Sequence, residues 1–163
     1  LRRTALRRAG VALVIIDTSA LVALLRDEPE AVAFARLLRA APRRLLSAAS
    51  YVELAAVLDG RGDPVLSGAL DAWLAAWGIE ITPLTVEQAT IARDAYRRFG
   101  RGSGHPAHLN LGDCFAYALA RDLGEPLLFK GADFALTDIE LVTEPVREKR
   151  LSELVARYGS AGA

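Results

Sequence analysis

The chain alternates short apolar runs with longer stretches in which apolar residues recur every third or fourth position. VALVII, residues 11–16, has no polar interruption and is rich in β-branched side chains, the pattern of a strand buried on both faces. TSALVALLRD reads as a short helix capped by Thr18 or Ser19. Pro29 opens a second helix, PEAVAFARLLRAA, with Val32, Phe34, Ala35 and Leu38 giving a broad apolar face. LLSAA is a second short strand, and SYVELAAVLDGRG a third helix that ends at Gly60. Asp63-Pro64 starts a fourth helix carrying Trp73 and Trp77 on one face. GIEITPL is a strand, TVEQATIARDAYRRFG a helix, RGSGHPAHLN a glycine-bearing loop and NLGDCFAYALARDLG another helix. PLLFK and IELVTE complete the pattern as strands. Such alternation predicts an α/β sandwich around a mainly parallel sheet.

Length and composition narrow the class. At 163 residues the chain is most simply one domain: an extension over 1–10, a folded unit over 11–144, and a tail over 145–163 with a polar, helix-compatible pattern. Arginines precede the first apolar run, but the run stops after six residues at Asp17, short of the roughly 7–15 of a signal peptide. No stretch approaches the roughly 18 apolar residues of a membrane span, so the expectation is a cytoplasmic protein with no membrane association. The lone Cys114 excludes an internal disulfide and reads as a small core residue. Acidic and basic residues balance at 20 each, so nucleic-acid binding by bulk charge is excluded and any such binding needs a local patch.

Four acids stand at chain positions that invite chemistry. Asp17 ends the first strand, Asp133 follows the strand PLLFK, and Glu53 and Asp113 lie near helix starts. Ligands of α/β sheets bind outside the carboxyl ends of the strands. Each acid also has a local role open to it. Ser50 to Glu53 has the form of a capping box, and Asn110 with Asp113 imitates one. Asp17 is able to accept from the amides of the following helix, and Asp133 to organise a turn. Yet Glu53 is followed along its helical row by Ala56 and Val57, and Asp113 by Ala116, Tyr117 and Ala120. Both acids therefore lie over residues that face the sheet. Clustered carboxylates repel unless a cation neutralises them, and oxygen ligands suit Mg²⁺ or Mn²⁺. Such a cluster is apparatus for metal-assisted attack on a phosphodiester.

VIIDTSALVALL, SAASYVELAAVL, LNLGDCFAYALA and PLLFKGADF, in that order, resemble the PIN-domain ribonucleases, specifically the VapC toxins of bacterial toxin–antitoxin pairs. The resemblance covers about residues 12–144 and implies a PIN-like three-layer sandwich with helices flanking the sheet. It implies that Asp17 and Asp113 hold Mg²⁺ or Mn²⁺, that Glu53 and Asp133 bind through water or help a second ion, and that Thr18 or Ser19 steadies the site. It further implies a single-stranded or looped RNA substrate, attack by metal-activated water, a VapB-like antitoxin seated on the first two helices, and a homodimer. One segment departs from the pattern. Many relatives carry T-x-D-x-D-F where this chain has Phe129-Lys130-Gly131-Ala132-Asp133-Phe134, so only the second aspartate remains. The site then uses Asp133 or recruits Asp138 from LTDIE.

Further residues carry open alternatives. Lys130 is placed either to touch a substrate phosphate or to pair with the acids. Arg93, Arg97, Arg98 and Arg101 form a basic row that leads to the loop of His105 and His108; the row is an RNA contact or a solvated face. Two histidines without a third ligand nearby do not make a zinc site. Trp73 and Trp77 belong to the core or to a dimer interface. Two other functions compete. A phosphoacceptor receiver domain would need an acidic pair after the first strand and an acid after GIEITPL, which ends in Pro83 and Leu84. A degenerate PIN domain would bind RNA or a partner without cleaving.

Overall fold

The computed structural model describes residues 13–60 and 64–142. The expected extension, the tail, Asp63 and the end of IELVTE lie outside the described residues. Four strands, β1 (Leu13–Ile16), β2 (Arg43–Ser47), β3 (Ile79–Thr82) and β4 (Leu127–Leu128), form one sheet in the order β3-β2-β1-β4. All three pairings are parallel; Ile15 lies opposite both Leu45 of β2 and Leu127 of β4.

Alternation along β1 makes the three layers. Leu13 and Ile15 face α5 (Val86–Phe99) and α6 (Leu111–Leu123), where Phe99, Leu119 and Tyr117 close the core. Val14 and Ile16 face the other way, towards α1 (Thr18–Leu25), α2 (Ala31–Ala40), α3 (Ala48–Asp59) and α4 (Pro64–Ala76). Leu21, Leu38, Leu54 and Leu74, one from each of those helices, are fully buried there. Each contributes about 1.5–3 kcal/mol in transfer from water. A strand buried on both sides has no polar face to show, which is why VALVII reads without alternation.

Several boundaries differ from the expected ones, each for a local reason. The cap of α1 is Asp17 rather than Thr18 or Ser19. Pro29 lies in the turn before α2, which begins at Ala31. β2 starts earlier than LLSAA because Arg43 finds Glu80 on β3 at 2.8 Å and Arg44 donates to Trp77 O at 2.8 Å. The last two expected strands shrink to the two residues of β4 and a single parallel bridge between Leu127 and Leu141.

From β1 the chain moves outward through β2 to β3, then returns to add β4 on the opposite side of β1. The crevice above β1 and β4 is thus the point where strand order reverses, the usual ligand position in such sheets. Asp17 N–H donates to Leu128 O at 2.9 Å and fixes that crevice.

Candidate active site at the carboxyl ends of the strands

Asp17 is the first residue past β1, in extended backbone, and its side chain turns onto α1. Its Oδ2 accepts from the Ser19 amide at 2.9 Å and the Ser19 hydroxyl at 2.5 Å. The same hydroxyl accepts from the Lys130 amide at 3.0 Å. One serine, donor and acceptor at once, therefore ties the end of β1 to the segment leaving β4.

Glu53 does not make the capping box expected with Ser50. The Ser47 hydroxyl accepts the Ala49 amide at 3.3 Å and starts α3 earlier, which places Ser50 inside the helix and Glu53 on its second turn. There Glu53 Oε2 accepts from the Thr18 hydroxyl at 3.1 Å. Asp113 does make its box: the Asn110 amide donates to its Oδ2 at 2.6 Å, and its own amide donates to Asn110 Oδ1 at 2.9 Å. That cap engages one carboxylate oxygen and holds the group at the mouth of the crevice. Capping and a place in the site are compatible.

Asp17, Thr18, Ser19, Glu53, Asn110 and Asp113 line a cleft of about 310 Å³ with Val22 and Val57. Its electrostatics are unfavourable as they stand. Burial pushes the Asp17 carboxyl up, against the hydrogen bonds from Ser19, and Asp133 adds like charge. Burial also raises Glu53, with the charge of Asp17 adding to it. Asp113 is pushed up to about 6, first by burial and then by the charges of Asp17, Glu53 and Asp133. Acids raised by burial and by neighbouring acids in one cleft are a functional-site signature.

A hard divalent cation fits this donor set. Every contributing group is a carboxylate, hydroxyl or amide oxygen, and the three acids carry charge that they do not neutralise among themselves. Among the described residues no three acid, histidine or cysteine side chains form a ready-made all-protein cage. Mg²⁺ does not require one, since it keeps several waters and takes one or two carboxylates.

The remaining expected residues fall into place unevenly. Asp133 heads a 3-10 turn (Asp133–Leu136) and is exposed, outside the cleft lining, though its charge reaches Asp17 and Asp113. Gly131, the position of the first aspartate in the pattern that the chain resembles, has φ 115°, a conformation that strains any L side chain. Asp138 is not recruited to the acids: the Tyr117 hydroxyl donates to it at 2.5 Å, and Arg98 reaches it at 3.1 Å. Lys130 lines the cleft but pairs with Glu28 at 2.6 Å and Glu30 at 3.1 Å rather than with Asp17, Glu53 or Asp113. Glu28, a lining residue that sequence reasoning missed, sits in an aperiodic turn with no pattern to mark it.

The basic row is largely engaged. Arg97 pairs with Asp94 at 2.6 Å, while Arg98 is shared between Asp94 and Asp138. Arg101 and His108 are exposed on the loop that returns to Asn110. His105 packs edge-on against Phe99, with ring centroids 4.9 Å apart, and its Nδ1 accepts from the Ala107 amide. Cys114 is fully buried and its thiol is pushed up to about 12, which suits a core residue and not a nucleophile. The Trp73 and Trp77 rings lie 5.9 Å apart, tilted by 46°, and pack against the core on the Val14 and Ile16 side of the sheet, with Arg39 over the Trp77 ring.

Comparison with known proteins gives the same outline. The family model described as PIN domain matches residues 14–140. Ribonuclease VapC28 of Mycobacterium tuberculosis is 54% identical over 127 residues, 78% of this chain and 96% of that protein. Ribonuclease VapC42 of the same species is 48% identical over 126 residues, 77% of this chain and 96% of that one. Among solved structures, the sarcin-ricin loop cleaving toxin VapC20 of M. tuberculosis superposes with a TM-score of 0.63 at 18% identity, over 81% of this chain and 99% of that one. A toxin–antitoxin complex from Klebsiella pneumoniae gives 0.59 at 20% identity, over 81% and 96%.

Proposed function

The chain belongs to the PIN-domain family, and from that premise we propose that it is the toxin of a type II toxin–antitoxin system, a ribonuclease that hydrolyses RNA phosphodiesters with Mg²⁺ or Mn²⁺. One observation carries the reading: Asp17 from the end of β1, Glu53 from α3 and Asp113 from α6 meet at one cleft, where the charge of Asp17 raises Glu53 and the charges of Asp17 and Glu53 raise Asp113. Relatives about half identical over nearly their whole length are ribonucleases by name, which supports the same activity here.

Asp17 and Asp113 would hold the cation, with Glu53 and Asp133 contacting it through water. A bound divalent ion lowers the pKa of an attacking water and offsets charge on the leaving oxygen. The chain's own residues supply the rest. Ser19 fixes the Asp17 carboxylate, Asn110 fixes that of Asp113, and Thr18 holds Glu53. Lys130 stands at the rim to meet a substrate phosphate, exchanging Glu28 for it. Arg97 and Arg98 at the end of α5, and Arg101, His105 and His108 of the loop that follows, would contact the RNA in this reading. An RNA whose bases splay out would bring one phosphate to the acids.

A VapB-like antitoxin, a homodimer and a cytoplasmic setting belong to this reading. No helix among the described residues is long and apolar enough to cross a membrane. The test is cleavage of a mixed cellular RNA pool by purified, antitoxin-free protein: the account expects cleavage that stops with a chelator and returns with Mg²⁺ or Mn²⁺. Binding without cleavage would identify a degenerate member of the family.

A further inference from the structure

Gly112 lies in the first turn of α6, between Asn110 and the acid Asp113. A Cβ added to it would fall on the Glu53 carboxylate, against Oε1, Oε2 and Cδ, closer than real Cβ atoms approach. Nothing in the local backbone asks for glycine. The residue is helical, and it is not among the glycines with positive φ. Glycine inside a helix is less favourable than alanine. What it leaves open is the space that Glu53 occupies.

We propose that Gly112 is a positioning residue: the room left by its missing side chain is where the Glu53 carboxylate rests, beside Asp113, so that both acids face one cation. From the other side the Thr18 hydroxyl holds Oε2 at 3.1 Å. The carboxylate is thus gripped between a hydroxyl of α1 and the bare backbone of α6. A methyl at position 112 forces Glu53 to turn away or pushes the start of α6 off α3, and either movement separates Glu53 from Asp113. This role rests on the cation reading above and adds the residue that sets the third carboxylate.

The test is a double-mutant cycle on the full chain with Gly112→Ala, Glu53→Ala and the pair, read by Mn²⁺ binding calorimetry and by thermal melting without metal. Gly112→Ala is expected to weaken Mn²⁺ binding about as much as Glu53→Ala, by about 10–100-fold for a group that orients or supports ligands. In the Glu53→Ala background the same methyl should cost nothing further, because additivity fails when one residue acts through the other. In melting, Gly112→Ala should lower the midpoint only while Glu53 is present. Wild-type Mn²⁺ affinity in Gly112→Ala, or a second tenfold loss on top of Glu53→Ala, would overturn the proposal. If the wild type takes up no Mn²⁺, the cation reading fails, and the melting cycle still decides the contact: equal loss in both backgrounds contradicts it, and loss confined to the Glu53 background supports it.

Discussion

Lys130 Nζ stands 2.6 Å from Glu28 Oε2, so the ammonium in the cleft lining is neutralised by an acid that sequence reasoning did not mark. Glu28 and Glu30 raise the lysine's pKa and keep it charged. Glu28→Gln leaves the ammonium with Glu30 alone and should tighten RNA binding, whereas Lys130→Ala should loosen it. The salt dependence of binding should flatten in Lys130→Ala by about 0.7 in log–log slope, the contribution of one phosphate contact on a single strand. Titration of labelled RNA in metal-free buffer at several salt concentrations reads both effects. Looser binding by Glu28→Gln would contradict the exchange.

Ser19 serves two strands at once, donating to Asp17 Oδ2 and accepting from the Lys130 amide. Ser19→Ala leaves a buried carboxylate without its hydroxyl donor and a backbone amide without its acceptor. The expected cost is about 1–3 kcal/mol of stability, with a further rise in the Asp17 pKa, since that hydrogen bond is the largest influence holding it down. Denaturant unfolding measures the first, and weaker Mn²⁺ binding reports the second. Ser19→Thr should retain most of both.

The raised acids predict a pH dependence of definite sign. Asp113 sits at about 6, and Asp17 and Glu53 are raised as well. A carboxyl whose folded pKa exceeds its unfolded value holds its proton better when folded, so its contribution is complete below about pH 4 and lost as pH rises through the folded value. Carboxyls lowered by ion pairs, such as Glu80 and Asp94, act in the opposite sense. Comparison with Asp113→Asn removes them. Relative to that variant, the metal-free wild type should lose melting temperature between about pH 4 and about pH 7. Mg²⁺ needs deprotonated ligands, so the stabilisation it gives should grow over the same interval. A wild type that gains on the variant with rising pH would contradict the shift.

Asp138 and Asp133 should separate cleanly. Asp138 accepts from the nearly buried Tyr117 hydroxyl and meets Arg98, so Asp138→Ala should cost about 1–3 kcal/mol in unfolding free energy and leave Mn²⁺ affinity alone. Asp133→Asn should melt like the wild type and bind Mn²⁺ more weakly, because its charge acts on Asp17 and Asp113 while its side chain is exposed. Paired melting and calorimetry distinguish them. Reversed outcomes would place Asp138 in the site.

The sandwich was legible because β1 is an uninterrupted apolar run and the helical faces are periodic, and Asp17 because a carboxylate ending such a run needs a reason. Asp113 was legible twice, as a cap and as a candidate site acid; the cap forms and the carboxylate lines the cleft. Glu53 was found for its place above small residues, while its supposed cap dissolved because Ser47 competes with Ser50 for the helix start. Glu28 and Gly112 were not legible. Their importance comes from side chains distant in sequence, Lys130 and Glu53, and no local pattern encodes such a meeting. The strand PLLFK was expected and its shortness was not, since its pairing is limited by the partners β1 and Leu141.

The central claim is that Asp17 is buried at the end of β1 to hold a cation with Asp113. Asp17→Asn keeps the shape and an acceptor for Ser19 while removing a charge that burial disfavours, so the variant should melt at or above the metal-free wild type. The decisive measurement is cleavage of a mixed cellular RNA pool by wild type and Asp17→Asn, each with Mg²⁺, with Mn²⁺ and with chelator. The account predicts metal-dependent cleavage by the wild type and none by the folded variant. Equal cleavage by both would contradict it.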